Sequence, residues 1–455
     1  MTQAKPPGRA DVRALIDRLA AQGIDTVRVS FPDLRSTDRG RDILVGHLEA
    51  ACARGLTFSR AIYRATSEGA VADVPGDSLA GWPDMHVHPD LDTLVPLPWE
   101  PGVAWCLGDP REPVEGGAAL PESPREVLRR VIAPDAGARV RTVVGPELEY
   151  FLLDPAPEAP GGWRRYGGTR GNVYSSGRRG DPDCHLLTTM RHLHHLGIGV
   201  TAGNQEAGEG QFEINLQHDE ALRAADHAYL FKVAVRELAR KEGRLATFMA
   251  KPFNDGGTSG FHLHVSCTDA AGRNLFDDPR GPYGLSARAR YAMAGLLRHA
   301  PALTALLNPT VNSYRRLGQD PTAPRAGDWG LDRRDAMIRI PTSRGDATRL
   351  ELRLGDASAN PYLAVAGLVA ALRLGIEAEE EPPPPGRASD TDANTFLPLP
   401  GNLAAALDAL EADSELTDRL GKKFTGIYIA GKRHEYRKFQ EHVTDWEFAE
   451  YSERA

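Results

Sequence analysis

The sequence predicts an α+β fold in two units, and three observations support this prediction. Segments that alternate apolar and polar residues, like strands, stand among segments with helical periodicity. Up to about residue 108 the strand-like segments are short, and some are rich in proline. The chain of 455 residues is also longer than most single domains. We therefore expect a small N-terminal domain over residues 1–108 and a larger domain over residues 109–455.

The individual elements follow from local periodicity. Apolar residues at helical spacing predict helices within the ranges 11–23, 41–55, 123–136, 183–197, 219–243, 361–378, 402–421 and 435–455. Two-residue alternation predicts strands within 24–34, 87–99, 103–110, 143–154, 210–216, 260–267 and 348–356. Clusters of Gly, Pro and polar residues predict loops over 155–183 and 379–401.

Composition and charge argue against several classes of protein. The chain is 41% hydrophobic and 25% charged, which is typical of a globular protein. A net charge of −8 disfavours a nucleic-acid or anionic-membrane partner. No apolar run approaches the ~20 residues of a membrane span, and the N-terminal residues do not resemble a secretion signal. The four cysteines form no C-x-x-C motif, so we expect free thiols and a cytoplasmic location.

The predicted strand "VVGPELEYFLLD" carries two carboxylates on one face. Glu147 and Glu149 are two residues apart, so in a strand both side chains point to the same side. A solvated edge strand would explain them, since glutamate is mostly exposed in proteins. A bound cation would explain them as well, because it offsets the repulsion between the carboxylates.

Three further predicted strands carry the same kind of polar face. Each has apolar side chains on one face and polar ones on the other, and six of the nine polar residues are Glu, His or Arg. A solvated face is the better interpretation of any one strand, but four such strands favour a divalent-metal site. Arginine beside the metal ligands suits anionic oxygens. The polar residues are Gln211, Glu213 and Asn215, then His262, His264 and Ser266, and then Arg349, Glu351 and Arg353.

More arginines follow these strands, and together with a metal they indicate phosphate binding. Mg²⁺ or Mn²⁺ held by carboxylates and surrounded by arginines is a common way to bind ATP. The chain has no G-x-x-x-x-G-K-[ST] loop, and "GGTSG" is too short to replace one. The sequence therefore predicts a metal-dependent, ATP-using enzyme with its site on the polar face of a curved sheet. The additional arginines are Arg315, Arg316, Arg333, Arg334, Arg339 and Arg344.

Several motifs, taken in order, resemble the glutamine synthetase family from about residue 25 to the end of the chain. They include "GPELEYFLL", "KPFNDGGTSGFHLHVS", "NPTVNSYRRL", "RRDAMIRIP" and "RLELRLGDASANPYLA". The motif "NQEAGEGQFEINL" has the form found in the γ-glutamyl-amine ligase branch. The resemblance implies a β-grasp N-terminal domain and a catalytic domain with a curved antiparallel sheet. It also implies a homo-oligomer of two stacked rings with six subunits each, a dodecamer, in which active sites lie between neighbouring subunits.

The resemblance implies two or more divalent ions, Mg²⁺ or Mn²⁺, and ATP at each site. One ion would be bound by Glu149, Glu206 and Glu213, and the other by Glu147, His262 and Glu351. His264, Ser266 and Arg349 would face the nucleotide, and Arg334 and Arg339 would hold phosphates. Arg316 and Arg353 would bind the glutamate carboxylate, while Arg334, Arg339 and Glu351 would be catalytic. ATP would phosphorylate glutamate, and a nitrogen nucleophile would then displace phosphate.

The chain departs from the family where ammonium binds. Thr322 stands where the family has glutamate, and Ser59 follows Phe58 where the family has aspartate. A neutral pocket attracts ammonium poorly and offers no base for it. Gly257 and Thr258 replace the first two residues of the family's Asn-Gly-Ser-Gly loop, so a glutamate analogue is also a candidate substrate. We therefore predict a ligase that joins glutamate, or a close analogue, to a primary amine.

Two alternatives stay open at this stage. The first is a true glutamine synthetase in which another carboxylate, such as Asp320 or Glu68, serves the ammonium site. The second is a catalytically silent relative. The second is disfavoured, because all six metal positions and the phosphate arginines hold the required residue types.

Overall fold

The first unit is built around a mixed sheet. The computed structural model describes residues 9–66, 68–74, 81–138, 140–167, 173–387 and 396–454. Within them the first sheet has five strands in the order β2-β1-β5-β4-β3, with β1 and β5 parallel and the other neighbours antiparallel. Its elements are α1 (Arg9–Ala21), β1 (Thr26–Pro32), β2 (Asp38–Leu44), α2 (Leu48–Arg54), β3 (Leu56–Ser59), β4 (Asp84–Pro96) and β5 (Val103–Arg111).

The second unit contains a larger, mostly antiparallel sheet with β6 at its centre. Its strands follow the order β13-β14-β15-β12-β6-β9-β8, and β7, β10 and β11 also pair with β6. The strands are β6 (Arg141–Pro155), β7 (Trp163–Arg165), β8 (Val200–Gln205), β9 (Gln211–Leu216), β10 (Asp219–Glu220), β11 (Leu245–Thr247), β12 (Phe261–Thr268), β13 (Trp329–Leu331), β14 (Ile338–Ile340) and β15 (Leu350–Leu352). The predicted α+β class is confirmed.

Helices pack against this sheet and against one another, and they supply much of the remaining core. They are α3 (Pro124–Ala138), α4 (His185–His195), α5 (Ala221–Lys241), α6 (Ala287–Arg298), α7 (Ala300–Leu307), α8 (Ser313–Gln319), α9 (Pro361–Ala378), α10 (Leu403–Ala412), α11 (Ser414–Leu420), α12 (Lys422–Glu441) and α13 (Asp445–Tyr451). In the described residues α9 has the length and hydropathy of a membrane span, but 72% of that stretch is buried inside the protein. It is therefore best understood as a core helix.

Two glycines let α6 and α9 approach closely. A Cβ on Gly295 would lie 2.2 Å from the Ala371 carbonyl oxygen, and a Cβ on Gly375 would lie 2.1 Å from the Tyr291 carbonyl oxygen. Such contacts are shorter than atoms tolerate, so any larger residue would force the helices apart.

The structure corrects several of the local predictions. The predicted helix over 41–55 is a helix only from Leu48 onward, because Ile43 and its neighbours pair with β1 as part of β2. The predicted loop over 155–183 contains β7, which pairs with the end of β6. The helices α6, α7 and α8 had not been predicted. The domain boundary after residue 108 stays a prediction; the strand in which it falls, β5, continues to Arg111.

A buried arginine joins the two units. Arg125, 3% exposed on α3, donates hydrogen bonds to Asp90 on β4, Asp109 on β5 and Asp226 on α5. Burial opposes charge on Asp109, but Arg125 and Arg129 outweigh it and lower the pKa of this carboxyl. One guanidinium therefore bridges three carboxylates from three elements, with Arg129 as a second cation beside Asp109.

Replacing Arg125 with methionine should destabilise the protein by about 3–5 kcal/mol, because the aspartates would be left without their shared buried cation. Urea unfolding followed by circular dichroism would measure the loss. Arg141→Gln is the matched control, since Arg141 pairs with Glu220 at 3.3 Å with side chains 59% and 53% exposed. The control should cost less than about 1 kcal/mol. Equal losses in the two variants would contradict the role assigned to Arg125.

Candidate active site

Strand register brings the predicted carboxylates and histidines together. On β6, Glu147 is directly opposite His262 of β12, and Glu149 is directly opposite Glu213 of β9. Because side chains alternate along a strand, these four residues share one face of the sheet. Three separate segments of the sequence thus contribute to a single polar surface.

Two groups of side chains on this face have the geometry of divalent-metal sites. The ligand atoms of Glu147, Glu213 and His262 lie within 4.8 Å of one another, and so do those of Glu147, His264 and Glu351. Glu147 belongs to both groups, and it approaches both histidines: its oxygens lie 3.4 Å from His262 Nδ1 and 3.2 Å from His264 Nε2. The structure therefore adds His264 to the candidate ligands. The division of the predicted ligands between two ions stays a prediction.

Glu149 and Glu206 lie beside these groups. Glu149 is buried and accepts hydrogen bonds from the Gly260 amide (2.9 Å) and from Gln211 Nε2 (2.7 Å). Glu206, in the loop after β8, accepts a hydrogen bond from Asn204 Nδ2 (2.8 Å). Burial raises the pKa of Glu149 to about 7 and also raises the pKa of Glu206. The negative charge of Glu147 adds to the rise for Glu206.

Burial and mutual repulsion oppose the ionisation of carboxyls in this site. Burial, followed by the charges of Glu147, Glu149 and Glu206, raises the pKa of Glu213 to about 8. Burial and the nearby Arg353 lower the pKa of His262 to about 4, so this imidazole is neutral at pH 7 and keeps a free lone pair. Crowded carboxylates with a neutral imidazole fit Mg²⁺ or Mn²⁺, which would relieve the repulsion.

Arginines border the carboxylates on one side. Glu351 is 1% exposed, and its two oxygens accept hydrogen bonds from Arg339 Nη1 (2.7 Å) and Arg353 Nη1 (2.6 Å). Arg339 also donates to Asp332, at 2.6 Å from Nη2 and 3.0 Å from Nε. Burial opposes ionisation of Glu351, but His262, His264 and Arg353 lower its pKa overall. Glu351 therefore orients two of the predicted substrate-binding arginines.

Arg349 orients the ring of His264. Its Nε donates to His264 Nδ1 at 3.0 Å, which leaves His264 Nε2, 3.2 Å from a Glu147 oxygen, as the nitrogen that faces the candidate metal group. Ser266 is half-buried on the same face of β12, two residues further along. Arg334 is exposed, and its positive charge partly offsets the rise in the pKa of Glu206. These residues line the border where the nucleotide is predicted to bind.

Arg316 is buried and has one unused hydrogen-bond donor among the described residues. It is 3% exposed, and two of its nitrogens donate to the carbonyl oxygens of Leu354 (3.1 Å) and Arg353 (3.3 Å). Its Nε has no hydrogen-bond partner among the described residues. A buried unpaired N–H costs free energy unless a ligand satisfies it. This supports the prediction that Arg316 meets an anionic substrate group.

The loop residues Thr258 and Thr322 meet around a carboxylate, and Gly257 lies against Gln211. Thr258 Oγ1 donates to Asp320 Oδ2, and Thr322 donates to Asp320 Oδ1 from its amide (2.8 Å) and its hydroxyl (2.7 Å). At Gly257 a Cβ would lie 2.4 Å from Gln211 Oε1, so a larger residue there would have to displace the Gln211 side chain. Asp320 therefore places a carboxylate in contact with two threonines that the sequence predicts to bind substrate.

Two further candidate residues, Ser59 and Glu68, lie away from the polar face of the large sheet. Ser59 is exposed at the end of β3 in the first sheet, where its hydroxyl accepts a hydrogen bond from the Ala61 amide (3.3 Å). Glu68 is exposed and lines a separate cavity of about 110 Å³ between the first unit and α12. A larger cavity of about 740 Å³ borders the active-site loops at Glu209 and Asp255 but contains none of the predicted site residues.

Sequence reasoning missed three supporting residues. Gln211 holds Glu149, Asn204 holds Glu206, and Asp332 holds Arg339. The alternation of β9 had placed Gln211 on the polar face, which was a usable signal. For Asn204 and Asp332, which act through the side chains they hold, the sequence pattern gave no such signal.

The fold and this site define an enzyme that combines a divalent-metal site with arginines suited to phosphate, as in ATP-dependent ligases. The chain belongs to the glutamine synthetase family, because the family described as "Glutamine synthetase, catalytic domain" matches residues 121–451. Members of this family are ATP-dependent ligases that join glutamate to ammonia or an amine, and they use divalent metal ions. The predicted resemblance and enzyme class are thus confirmed.

Similar proteins include both branches of the family. A glutamine synthetase from Halobacterium salinarum is 33% identical over 97% of this chain and 96% of its own. A glutamate–isopropylamine ligase from a Pseudomonas species is 31% identical over 96% of each chain. A solved structure described as a GmaS/ADP complex is 32% identical, with a TM-score of 0.83 over 96% of this chain and 99% of its own.

Replacing Glu213 with glutamine should weaken Mn²⁺ binding at least about tenfold, because a candidate ligand loses its charge. Isothermal titration calorimetry would measure the affinity. The melting temperature without metal should not fall, since the substitution removes repulsion from neighbouring carboxylates. Glu220→Gln, an exposed change on β10 in the same sheet, is the control and should bind Mn²⁺ normally. Normal binding by the Glu213 variant would exclude Glu213 as a ligand.

Proposed function

We propose that this protein forms a γ-glutamyl amide from glutamate, or a close analogue, and a primary amine. The observation that carries the proposal is the composition of the nucleophile pocket. Thr322 replaces the larger carboxylate side chain that the family uses for ammonium, and its hydroxyl is already bonded to Asp320. The likeness to a glutamate–isopropylamine ligase and to GmaS supports the same conclusion.

We assign two or more divalent ions to the polar face of the large sheet. When bound, they would neutralise charge on the nucleotide phosphates and on the group being transferred. Their ligands would be Glu147, Glu149, Glu206, Glu213, His262 and Glu351, with His264 in reach of Glu147 and Glu351.

The arginines of the chain would hold the two anionic substrates. Arg334, Arg339 and Arg349 would contact ATP, together with Ser266 and His264. Arg316, with its unpaired Nε, and Arg353 would bind glutamate. Glu351 accepts hydrogen bonds from both Arg339 and Arg353. It would therefore set the spacing between ATP, bound by Arg339, and glutamate, bound by Arg353. Preorganised guanidinium groups stabilise the charge that develops as phosphate is transferred.

The proposed reaction has two steps. The side-chain carboxylate of glutamate attacks the terminal phosphorus of ATP, the bond to ADP breaks, and an acyl phosphate forms. The lone pair of the amine then attacks the acyl carbon, and the bond from that carbon to the phosphate oxygen breaks. Phosphate leaves with the bonding electrons, and the new amide nitrogen loses its extra proton. The products are ADP, phosphate and the γ-glutamyl amide.

A true glutamine synthetase is the second candidate, and one observation favours it. Asp320 supplies a carboxylate in the nucleophile pocket, and a carboxylate there can bind ammonium. Several similar proteins, including one from Methanocaldococcus jannaschii at 35% identity, are also named glutamine synthetase.

We further propose that the protein is a cytoplasmic homo-oligomer of stacked hexameric rings, a dodecamer. Its C-terminal segment supports an oligomer, because four large apolar side chains there are half or more exposed. An exposed apolar cluster of this kind marks an interaction surface. The residues are Val443, Trp446, Phe448 and Tyr451. In such a ring Ser59 would reach the active site of a neighbouring subunit.

A panel of amines tests the proposed function. With glutamate and Mg·ATP, at least one primary alkylamine should release phosphate with a higher kcat/KM than ammonia, and mass spectrometry should detect the matching amide. Ammonia as the best nucleophile would support the second candidate instead. No phosphate release with any nucleophile would overturn both proposals.

The double variant Trp446→Glu/Phe448→Glu tests the assembly. It should form smaller particles in light scattering coupled to size-exclusion chromatography, since two charges would enter the apolar contact. Glu450→Lys on the same helix is the control and should assemble normally, because Glu450 lies outside the apolar set. An unchanged mass for the double variant would show that α13 does not hold the oligomer together.

A further inference from the structure

We propose that Asp320 is the specificity-determining residue that binds the positively charged amino group of the incoming nucleophile. This inference rests on the proposed function, since it assigns the residue that would select a cationic amine. It goes beyond that function by naming the carboxylate that binds the amine. Asp320 lies two residues before Thr322, the position where the family has its glutamate.

Asp320 is half-buried and rigidly held. It follows the end of α8, and its Oδ1 accepts two hydrogen bonds from Thr322. Its Oδ2 accepts one from the hydroxyl of Thr258, which comes from the loop before β12. An ionised carboxylate offers about four acceptor positions, and three are filled by these described residues. One position on Oδ2 is left for an N–H donor from a ligand.

A short chain of hydrogen bonds connects Asp320 to the metal site. The carbonyl oxygen of Thr258 accepts a hydrogen bond from Gln211 Nε2 (2.8 Å), and the same nitrogen donates to Glu149 Oε2 (2.7 Å). Asp320 therefore lies two side chains from a candidate metal ligand. A nucleophile bound to Asp320 would be beside the candidate metal site, where the acyl phosphate is expected to form.

The electrostatic environment keeps Asp320 negatively charged. Burial opposes its ionisation, but the hydrogen bonds from Thr258 and Thr322 and the charge of Arg316 outweigh burial and lower its pKa. A carboxylate of this kind binds cations well and is a weak base. Asp320 would accordingly bind and orient the ammonium group, and the proton would leave to solvent or to the departing phosphate.

Thr322 explains why the cation would be an alkylammonium ion. Its hydroxyl hydrogen and its amide are both donated to Asp320, so its methyl group and the lone pairs of its hydroxyl oxygen are left for a ligand. Thr322 is exposed, which leaves room beside the ammonium position for an organic group. A charged anchor next to a methyl group fits the amino end and the first carbons of a primary amine.

The test compares charged and uncharged nucleophiles in the full-length enzyme. Asp320→Asn should raise KM for the best alkylamine by about 10- to 100-fold, because the charge-assisted hydrogen bond is lost. KM for hydroxylamine, which is uncharged at neutral pH, should change less than about threefold. Asp320→Glu should restore part of the alkylamine affinity. Asp418→Asn, on α11 and paired with Lys422 at the surface, is the control and should match the wild type.

The possible outcomes distinguish a failure of this inference from a failure of the proposed function. If Asp320→Asn raises KM equally for both nucleophiles, or lowers only kcat, Asp320 does not recognise charge and the inference is wrong. If the wild-type enzyme uses no alkylamine but does use ammonia, the same comparison is run with ammonium, and a selective rise in its KM would still support Asp320. A normal KM for the charged nucleophile in the variant would overturn the inference while leaving the proposed function intact.

Discussion

The antiparallel pairing of β6 with β9 and β12 is the constraint on which the site depends. It sets Glu149 opposite Glu213 and Glu147 opposite His262, so like charges are forced together on one face. Their mutual repulsion and burial raise the pKa of Glu213 to about 8. The folded protein tolerates this arrangement because the opposite face of the same strands is packed with apolar side chains, which fix the register.

Buried cations and carboxylates elsewhere in the site act as a scaffold for the reactive groups. Glu351 is nearly inaccessible to solvent, and burial opposes its ionisation, yet its pKa is lowered by His262, His264 and Arg353. The hydrogen bonds to its oxygens hold Arg339 and Arg353 in position before any substrate arrives. Substrate binding would therefore require little reorganisation, which is how preorganised polar sites lower an activation barrier.

Much of the fold and of the site was predictable from local patterns. The strict alternation of β6, β9, β12 and β15 showed both the strands and their polar face, since a sheet with one buried face imposes that period. Other elements were not predictable, because tertiary pairing overrode local preference. Residues 41–44 look helical but join β2, where Ile43 pairs with Val27 of β1. The Ala-rich helix α7 is buried on most sides and has little amphipathic contrast.

The sequence by itself was enough to identify the candidate metal and phosphate residues and their order along the chain. Strand periodicity placed them on one face, and motif spacing matched them to a family. Only the tertiary structure decided how they meet. It made Glu147 common to both ligand groups, and it brought Asp320 into the pocket between Thr258 and Thr322. These contacts join residues up to 204 positions apart, from Glu147 to Glu351, and so depend on how strands and loops pack rather than on any local pattern.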